Sequence, residues 1–233
     1  MWLILSETDD TVARWLLKRL KALGSDGARL LTSEDLANAS RWDHRVSSEG
    51  AFVSFRVCGR EVISSRDVSG GMSRLWRFPQ RPAHEFAETD STYANDEWFA
   101  FLASTLAAIP GWINPPSPAG LSGVFRTRRE WAALAELAGL RTVRTDPDLA
   151  IDWLSKGRRF REVLVFEGEV FTHDVPKSIA SATVRLVDTA ELRLGGAIFD
   201  VSDTEWRFIN GSTTPYLRAG GKRLVRALLP YTR

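Results

Sequence analysis

Apolar positions at the start of the chain switch between short continuous runs and a helical period. Residues 2–5 form an apolar run of strand length, and residues 28–31 form a second one. Between them, apolar residues recur every three to four positions and are separated by arginine and lysine. They are Val12, Trp15, Leu16 and Leu20. The order strand, helix, strand predicts a βαβ unit of an open α/β sheet.

The middle of the chain mixes strand and helix patterns. Two β-rich runs at 50–57 and 60–64, joined by Cys58 and Gly59, predict a hairpin. We interpret Ser69-Gly70-Gly71 as a break, followed by a strand at 73–79. A helical period of apolar residues then predicts three helices: one that begins at Asn95, one at 126–140 and a short one at 149–154.

The last third predicts two β-hairpins, at 161–176 and 194–217, around one helix. The second hairpin ends in the polar cluster Asn210-Gly211-Ser212-Thr213-Thr214. This cluster is either a set of residual phosphate contacts or the turn before the last helix. We favour the turn, because serine, threonine and glycine at a strand-to-helix junction are typical capping residues.

Composition and charge narrow the classes of partner. The chain has 233 residues, 44% of them apolar and 26% charged, with a net charge of +2 and no dense run of one sign. Such a balance gives no reason to expect nucleic acid or an anionic membrane as a partner. The N-terminal apolar run is far too short for a membrane span, so we expect a cytoplasmic protein. One cysteine excludes an intramolecular disulfide framework, and we expect the Cys58 thiol to be buried and inert.

Few residues have the spacing of a catalytic or metal site. The loop from Ser6 to Asp10 is acidic and lacks the glycine fingerprint of dinucleotide binding, so we interpret it as a capped connection. Three histidines stand far apart in sequence, which predicts no metal site. No Gly-x-Ser-x-Gly elbow is present for a hydrolase triad.

Basic and aromatic residues are the candidates for binding a peptide or a partner protein. Arginine clusters hold acidic peptides or phosphates, and exposed aromatic residues are common anchors. The alternative is that the clusters are solvated loop and helix faces, which the charge pattern favours. The candidates are Arg126, Arg128, Arg129, Arg158, Arg159, Arg161, Trp76 and Arg77.

The order of motifs resembles a known family. The opening WLILSETDDTVARWLLKRLKALG is followed by SRLWRFPQRP, GWINPPSP, WAALAELAGLRTVRTDPDLAIDWL, REVLVFEGEVFTHDVP and GGAIFDVSDTEWRFINGSTTP. In this order they resemble segments of the ATP-grasp ligases that modify ribosomally made peptides, the graspetide (microviridin-type) macrocyclases. The resemblance implies an α/β (α+β) fold, with a Rossmann-like pre-ATP-grasp domain at 1–116. A helical connector at 117–160 and a shortened remnant of the ATP-grasp C-terminal subdomain at 161–233 would follow.

The departures from the family bear on its chemistry. Active members hold magnesium with an aspartate after Gly-Ala-Ile and with a glutamate and an asparagine on the next strand. In register these positions fall on Phe199, Asn210 and Ser212, and a slip of one residue would use Asp200 but would turn its side chain to the other face. The family's lysine strand, glycine-rich loop and adenine-binding linker would have to fit between Gly157 and Arg161. The resemblance therefore implies no metal site, no nucleotide cofactor and no ATP-dependent ligation.

Three functions remain open. The first is a catalytically degenerate accessory factor that binds a peptide substrate or a partner modification enzyme of a ribosomal peptide pathway. We expect such a factor to be a homodimer. The second is a minimal ATP-dependent carboxylate–amine or ester ligase that uses ATP and Mg²⁺ on a peptide. The third is an enzyme of another class on a reused scaffold.

Overall fold

The computed structural model describes residues 1–48, 50–57, 59, 61–77, 90–143, 159–202 and 205–232. The strands in this part are β1 (Trp2–Ser6), β2 (Ala28–Thr32), β3 (Ser40–Ser47), β4 (Gly50–Val57), β5 (Glu61–Ser64), β6 (Gly70–Arg74), β7 (Arg159–Phe166), β8 (Glu169–Val170), β9 (Leu194–Ser202) and β10 (Glu205–Ser212). The helices are α1 (Thr11–Ala22), α2 (Ser33–Ala37), α3 (Ser91–Ala107), α4 (Arg128–Leu137), α5 (Lys177–Thr189) and α6 (Gly221–Leu228), with 3-10 turns at Leu217–Gly220 and Leu229–Thr232. The prediction of a mixed α/β fold is confirmed.

The chain forms two compact units, Met1–Phe125 with Val225–Arg233, and Arg126–Leu224. The boundaries expected from the sequence, 1–116, 117–160 and 161–233, differ from these. Helix α4, expected in a connector, packs against β10 in the second unit. The predicted helix at 149–154 lies outside the described residues.

The first unit contains the predicted βαβ element. Strand β1 lies between β2 and β6 and pairs with both in parallel. Helix α1 is capped by Asp10, whose carboxylate accepts hydrogen bonds from the backbone N–H groups of Val12 (2.7 Å) and Ala13 (3.0 Å). Its apolar stripe, including Leu16 and Leu20, is buried.

Gly70 and Gly71 do not break the chain, contrary to the interpretation above; they begin β6. A Cβ on Gly71 would lie 2.6 Å from the carbonyl oxygen of Leu3 and 2.7 Å from Cζ3 of Trp112. The missing side chain therefore lets the segment around Trp112 bridge to this strand in parallel. The strand expected at 73–79 begins earlier and ends at Arg74.

A second sheet of the first unit has the order β3-β4-β5 and is antiparallel. The predicted hairpin corresponds to β4 and β5, whereas β3 was not predicted. Its sequence SRWDHRVS lacks a clear apolar alternation. Its register comes from β4, and the indole of Trp42 stacks on Phe55 with ring centroids 4.3 Å apart.

The second unit is built on a four-stranded antiparallel sheet of order β10-β9-β7-β8. Helices α4 and α5 lie on one face of it, over a core that includes Val163, Ala197, Phe199 and Phe208. The two predicted hairpins and the helix between them are thus present. The side chains of the opposite face form the first candidate site.

Candidate functional site

The two faces of β9 have different chemistry. Phe199 points toward the helices, is fully buried, and packs edge-on against Trp206 and Phe208 at centroid distances of 5.5 and 6.0 Å. The next residue, Asp200, points to the opposite face, because side chains alternate along a strand. Asp200 is 7% exposed and stands opposite Arg207 of β10.

A β-bulge decides which residues of β10 share the face of Asp200. The register shifts between Phe208 and Asn210, so that Asn210 pairs with Ile198 and Ser212 with Gly196. One extra residue reverses the alternation on the bulged strand. Asn210 and Ser212 therefore lie on the face of Asp200, and Phe199, expected to stand with them, lies on the other face.

Glu162 of β7 joins this polar face and was missed by the sequence reasoning. It pairs with Ile198, and its Oε2 accepts a hydrogen bond of 2.8 Å from the backbone N–H of Tyr216. A Cβ on Gly196 would lie 2.5 Å from Oε1 of Glu162, so the glycine makes room for the carboxylate. The alternation of β7, with Phe160, Glu162 and Leu164 on one side, is the signal that would have found it.

The remaining polar groups of this face are not equivalent. Oγ of Ser212 accepts a hydrogen bond of 3.2 Å from the backbone N–H of Thr214, as expected for a side chain that shapes a turn. Oδ1 of Asn210 is buried and has no hydrogen-bond partner among the described residues. A buried acceptor of this kind has a cost of about 1–3 kcal/mol unless a ligand or water meets it.

The charged groups of this face bear on whether it could hold a magnesium–nucleotide complex. Magnesium prefers carboxylate and phosphate oxygens in octahedral geometry. Within the described ranges, no group of three or more His, Cys, Asp or Glu side chains could hold a metal ion. Moreover, Arg207 adds a positive charge beside Asp200. Its pKa is raised, first by the hydrogen bond to Glu205 and in smaller part by the charge of Asp200.

A second polar cluster lies at the outer edge of β10. The segment after α4 pairs with β10 through Thr142 and Phe208. There Glu205 accepts hydrogen bonds from Arg141 (2.9 Å) and Arg207 (2.5 Å), beside an open cavity of about 600 Å³. The sequence predicted an extended segment at 141–145, of which 144 and 145 lie outside the described residues, and its pairing partner was not predicted.

The arginine candidates of the second unit have different roles. Arg161 donates to the backbone carbonyls of His173 (2.8 Å) and Asp174 (3.1 Å), and its guanidinium lies 5.3 Å from the ring of Trp206. It thus holds the loop after β8 in place. Arg129 and Arg159 are exposed.

Two further candidates of this unit lie at the start of α4. The guanidinium of Arg126 lies 5.7 Å from the ring of Trp131. Arg128 is the first residue of α4, whose capping box is formed by Thr127 and Glu130. Two positions named from the sequence, Cys58 and Arg158, lie outside the described residues.

Trp76 and Arg77 form an exposed pair in the first unit. The Arg77 guanidinium lies 4.0 Å from the ring of Trp76, which is 63% exposed. The backbone N–H groups of both residues donate to Oε1 of Glu7, at 3.2 and 3.0 Å. Asp10 of the same loop binds Arg74 at 2.7 Å. Both acidic side chains therefore have structural partners, in keeping with a capped connection.

Solved structures resemble the chain over nearly its whole length. The macrocyclase MdnC from Microcystis aeruginosa, bound with precursor peptide MdnA, has a TM-score of 0.71 at 12% identity and matches 99% of this chain and 100% of its own. A RiPP-associated ATP-grasp ligase from Chryseobacterium gregarium, in complex with ADP and a leader and core peptide, has a TM-score of 0.72 at 12% identity. This match covers 98% of this chain and 95% of the ligase. The ATP-grasp ligase PsnB, complexed with minimal precursor, Mg and ADP, has a TM-score of 0.66 at 16% identity. This match covers 99% of this chain and 98% of PsnB.

The chain has the fold of these ATP-grasp ligases. Identities of 12–16% show the ATP-grasp fold and not its chemistry. No family model and no curated protein sequence matches the chain. No helix in the described ranges has both the length and the apolar character needed to cross a bilayer. The matches span nearly all of each related chain, so they do not indicate a missing segment. The loss of a nucleotide-binding segment near Gly157 therefore stays a prediction.

Proposed function

We propose that the chain is a peptide-binding accessory protein with an ATP-grasp fold and without ligase activity. Its ligand would be a ribosomal precursor peptide or a partner enzyme that modifies one. The observation that carries the proposal is the polar face of the second sheet. There Asp200 stands opposite Arg207, and its neighbours on β10 are an amide and a hydroxyl, Asn210 and Ser212.

The chemistry of phosphoryl transfer supports the proposed lack of ligase activity. Catalysis of this reaction depends almost wholly on positioning and on neutralising phosphate charge with metal ions and basic groups. A guanidinium beside the strand's carboxylate competes with a divalent cation for the same charge. A ligase that kept this arrangement would bind Mg·ATP weakly and turn it over slowly.

The related structures support the proposed binding of a peptide. MdnC is bound with its precursor peptide, and the Chryseobacterium ligase is in complex with a leader and core peptide. This chain presents Arg129, Arg159 and Trp76 at its surface. Tryptophan and arginine are enriched among the residues that carry most of the energy of protein interfaces.

The test measures binding and turnover separately. Calorimetry would titrate the protein with the precursor peptide encoded nearest to its gene, and a coupled assay would follow ADP release with Mg·ATP and that peptide. MdnC with MdnA serves as the positive control in both. We expect peptide binding at micromolar affinity and no ADP release above the protein-free rate. Peptide-dependent ADP release would overturn the proposal, as would the absence of binding to this peptide and to its modification enzyme.

A minimal ATP-dependent ligase is the second candidate function. The buried, unpartnered Oδ1 of Asn210, beside Asp200, favours it, because a bound cation would satisfy that oxygen. Thermal unfolding with and without millimolar Mg·ATP tests it, since a ligand of the native state raises the melting temperature. A rise that disappears in Asn210→Ala and Asp200→Asn supports the ligase, and an unchanged melting temperature excludes it.

We also propose that the protein acts in the cytoplasm as a homodimer. Light scattering coupled to gel filtration measures the molar mass directly. A mass near 52 kDa, twice the 26.1 kDa of the chain, supports the dimer, and a mass equal to one chain argues against it.

A further inference from the structure

The sheet β3-β4-β5 has an outer face that is rich in arginine. Its inner face carries Val53 and Phe55 into the core. Because side chains alternate, the outer face carries Arg45 and Arg56, from the pairs Arg45–Phe52 and Arg56–Val62. Asp43 lies on the same face, opposite Ser54, so these three strand residues give the face a net positive charge.

An open groove lies along the hairpin of β3 and β4 and has a volume of about 810 Å³. Residues that line it include Asp43, Arg45, Phe52, Ser65, Arg66 and Pro110. The volume is in the range of about 300–1,000 Å³ that is usual for ligand sites. Among the described residues of its lining, the charged ones are two arginines and one aspartate, which gives this part of the groove a net positive charge.

Both arginines of the groove are held in place by neighbours. Arg45 makes a two-point contact with Asp43, with Nε–Oδ1 and Nη2–Oδ2 distances of 2.8 Å. The guanidinium of Arg66 lies 4.8 Å from the ring centroid of Phe52. A guanidinium that is already oriented loses less side-chain entropy when it binds a carboxylate. The side chain of Arg45 is 76% exposed, so it can be reached from solvent.

The strand next to the groove is at the edge of its sheet. Strand β3 is the first in the order β3-β4-β5, and edge strands can pair with an added extended peptide.

We propose that this groove binds an acidic, extended segment of the peptide partner, with its carboxylates on Arg45 and Arg66. An extended segment presents every second side chain to one face, so alternating acidic residues would meet the arginines. An apolar residue of the segment would pack on Phe52. This assignment rests on the proposed function, because it names the chemistry of the peptide that the protein recognises.

The experiment uses two labelled peptides on the full chain. Fluorescence anisotropy would compare an eight-residue peptide of alternating glutamate and valine with one of alternating lysine and valine. We expect the acidic peptide to bind at least tenfold more tightly. The double variant R45A/R66A should reduce its affinity about tenfold, which corresponds to 1.4 kcal/mol. Arg19→Ala, which removes an exposed arginine of helix α1, is the matched control and should leave the affinity unchanged.

Circular dichroism checks that each variant is folded, and the single variants Arg45→Gln and Arg66→Gln provide a second readout if the double variant is not. Equal affinity for the two peptides, or an equal loss in Arg19→Ala, overturns the groove assignment. Full-length precursor peptide is titrated in parallel. If it binds wild type and R45A/R66A equally, the proposed function stands and the groove assignment fails. If only the acidic probe binds, the groove is supported and the proposed function fails.

Discussion

The indole of Trp131 in α4 packs directly against the backbone of Gly211 in β10. A Cβ built on Gly211 would lie within 2.6 Å of three atoms of that ring. Trp131 is 4% exposed and belongs to the core of the second unit. The contact brings α4 onto the strand that also carries Asn210 and Ser212, so the helix supports the candidate site from behind.

We predict that Gly211→Ala destabilises the second unit by about 1–3 kcal/mol, because the added methyl group has no space and overpacking a core has this cost. Urea unfolding followed by tryptophan fluorescence measures the change. Gly27→Ala is the control, since the nearest atom to its Cβ would be 3.5 Å away. Equal midpoints for both variants would contradict the packing described.

The Asp10–Arg74 pair predicts a pH dependence of stability. Burial by itself raises the pKa of Asp10, but the charge and hydrogen bond of Arg74 and the N–H groups of Ala13 and Val12 lower it below 3.8 overall. A carboxyl whose pKa is depressed in the folded state stabilises the fold above its unfolded value. That contribution is lost as the pH falls from about 3.8 through the folded pKa.

Unfolding free energies between pH 5 and pH 2.5 check this prediction in wild type and Asp10→Asn. Wild type should lose more stability over this range than the variant, which has no charge to lose at this position. At pH 6 the variant should be less stable by about 1–3 kcal/mol, because a helix cap and a partly buried ion pair are both weakened. Parallel curves for the two proteins would rule out the ion pair as the source of acid sensitivity.

The pKa of Glu205 tests the polar cluster that Glu205 forms with Arg141 and Arg207 at the outer edge of β10. Its pKa is lowered, first by the hydrogen bond from Arg207 and then by the one from Arg141. We therefore predict that Arg207→Ala raises the pKa of Glu205 more than Arg141→Ala does. Carboxyl-carbon NMR titration measures both. The pKa of Glu130, lowered by hydrogen bonds from Thr127, should stay constant in both variants, and an opposite order at Glu205 would refute the arrangement.

Substitutions of Arg161 and Arg129 should show the difference between an arginine with a structural role and one that is only exposed at the surface. Arg161→Ala removes two donors to the loop carbonyls of His173 and Asp174, and we expect a loss of about 1–2 kcal/mol in the free energy of unfolding. Arg129→Ala should change it by less than about 0.5 kcal/mol, as is usual for surface positions. Chemical denaturation measures both, and equal effects would show that the Arg161 contacts do not stabilise the loop.

Elements with a strong local period could be predicted from the sequence. Helix α1 and the hairpins built on β4, β7 and β9 appear where the apolar pattern placed them. The polar strand β3 and the start of β6 at Gly70 could not be predicted in the same way. Their conformation depends on partners distant in sequence, β4 for the first and the chain around Trp112 for the second.

The sequence by itself determined that a hairpin with Phe199, Asp200, Asn210 and Ser212 closes the second sheet, because alternation and turn residues are local signals. Only the tertiary structure decided which of these side chains share a face. The bulge between Phe208 and Asn210 is set by pairing with β9 and by α4 packing behind it. One unpaired residue reverses every side chain beyond it, and no local pattern shows where the register shifts.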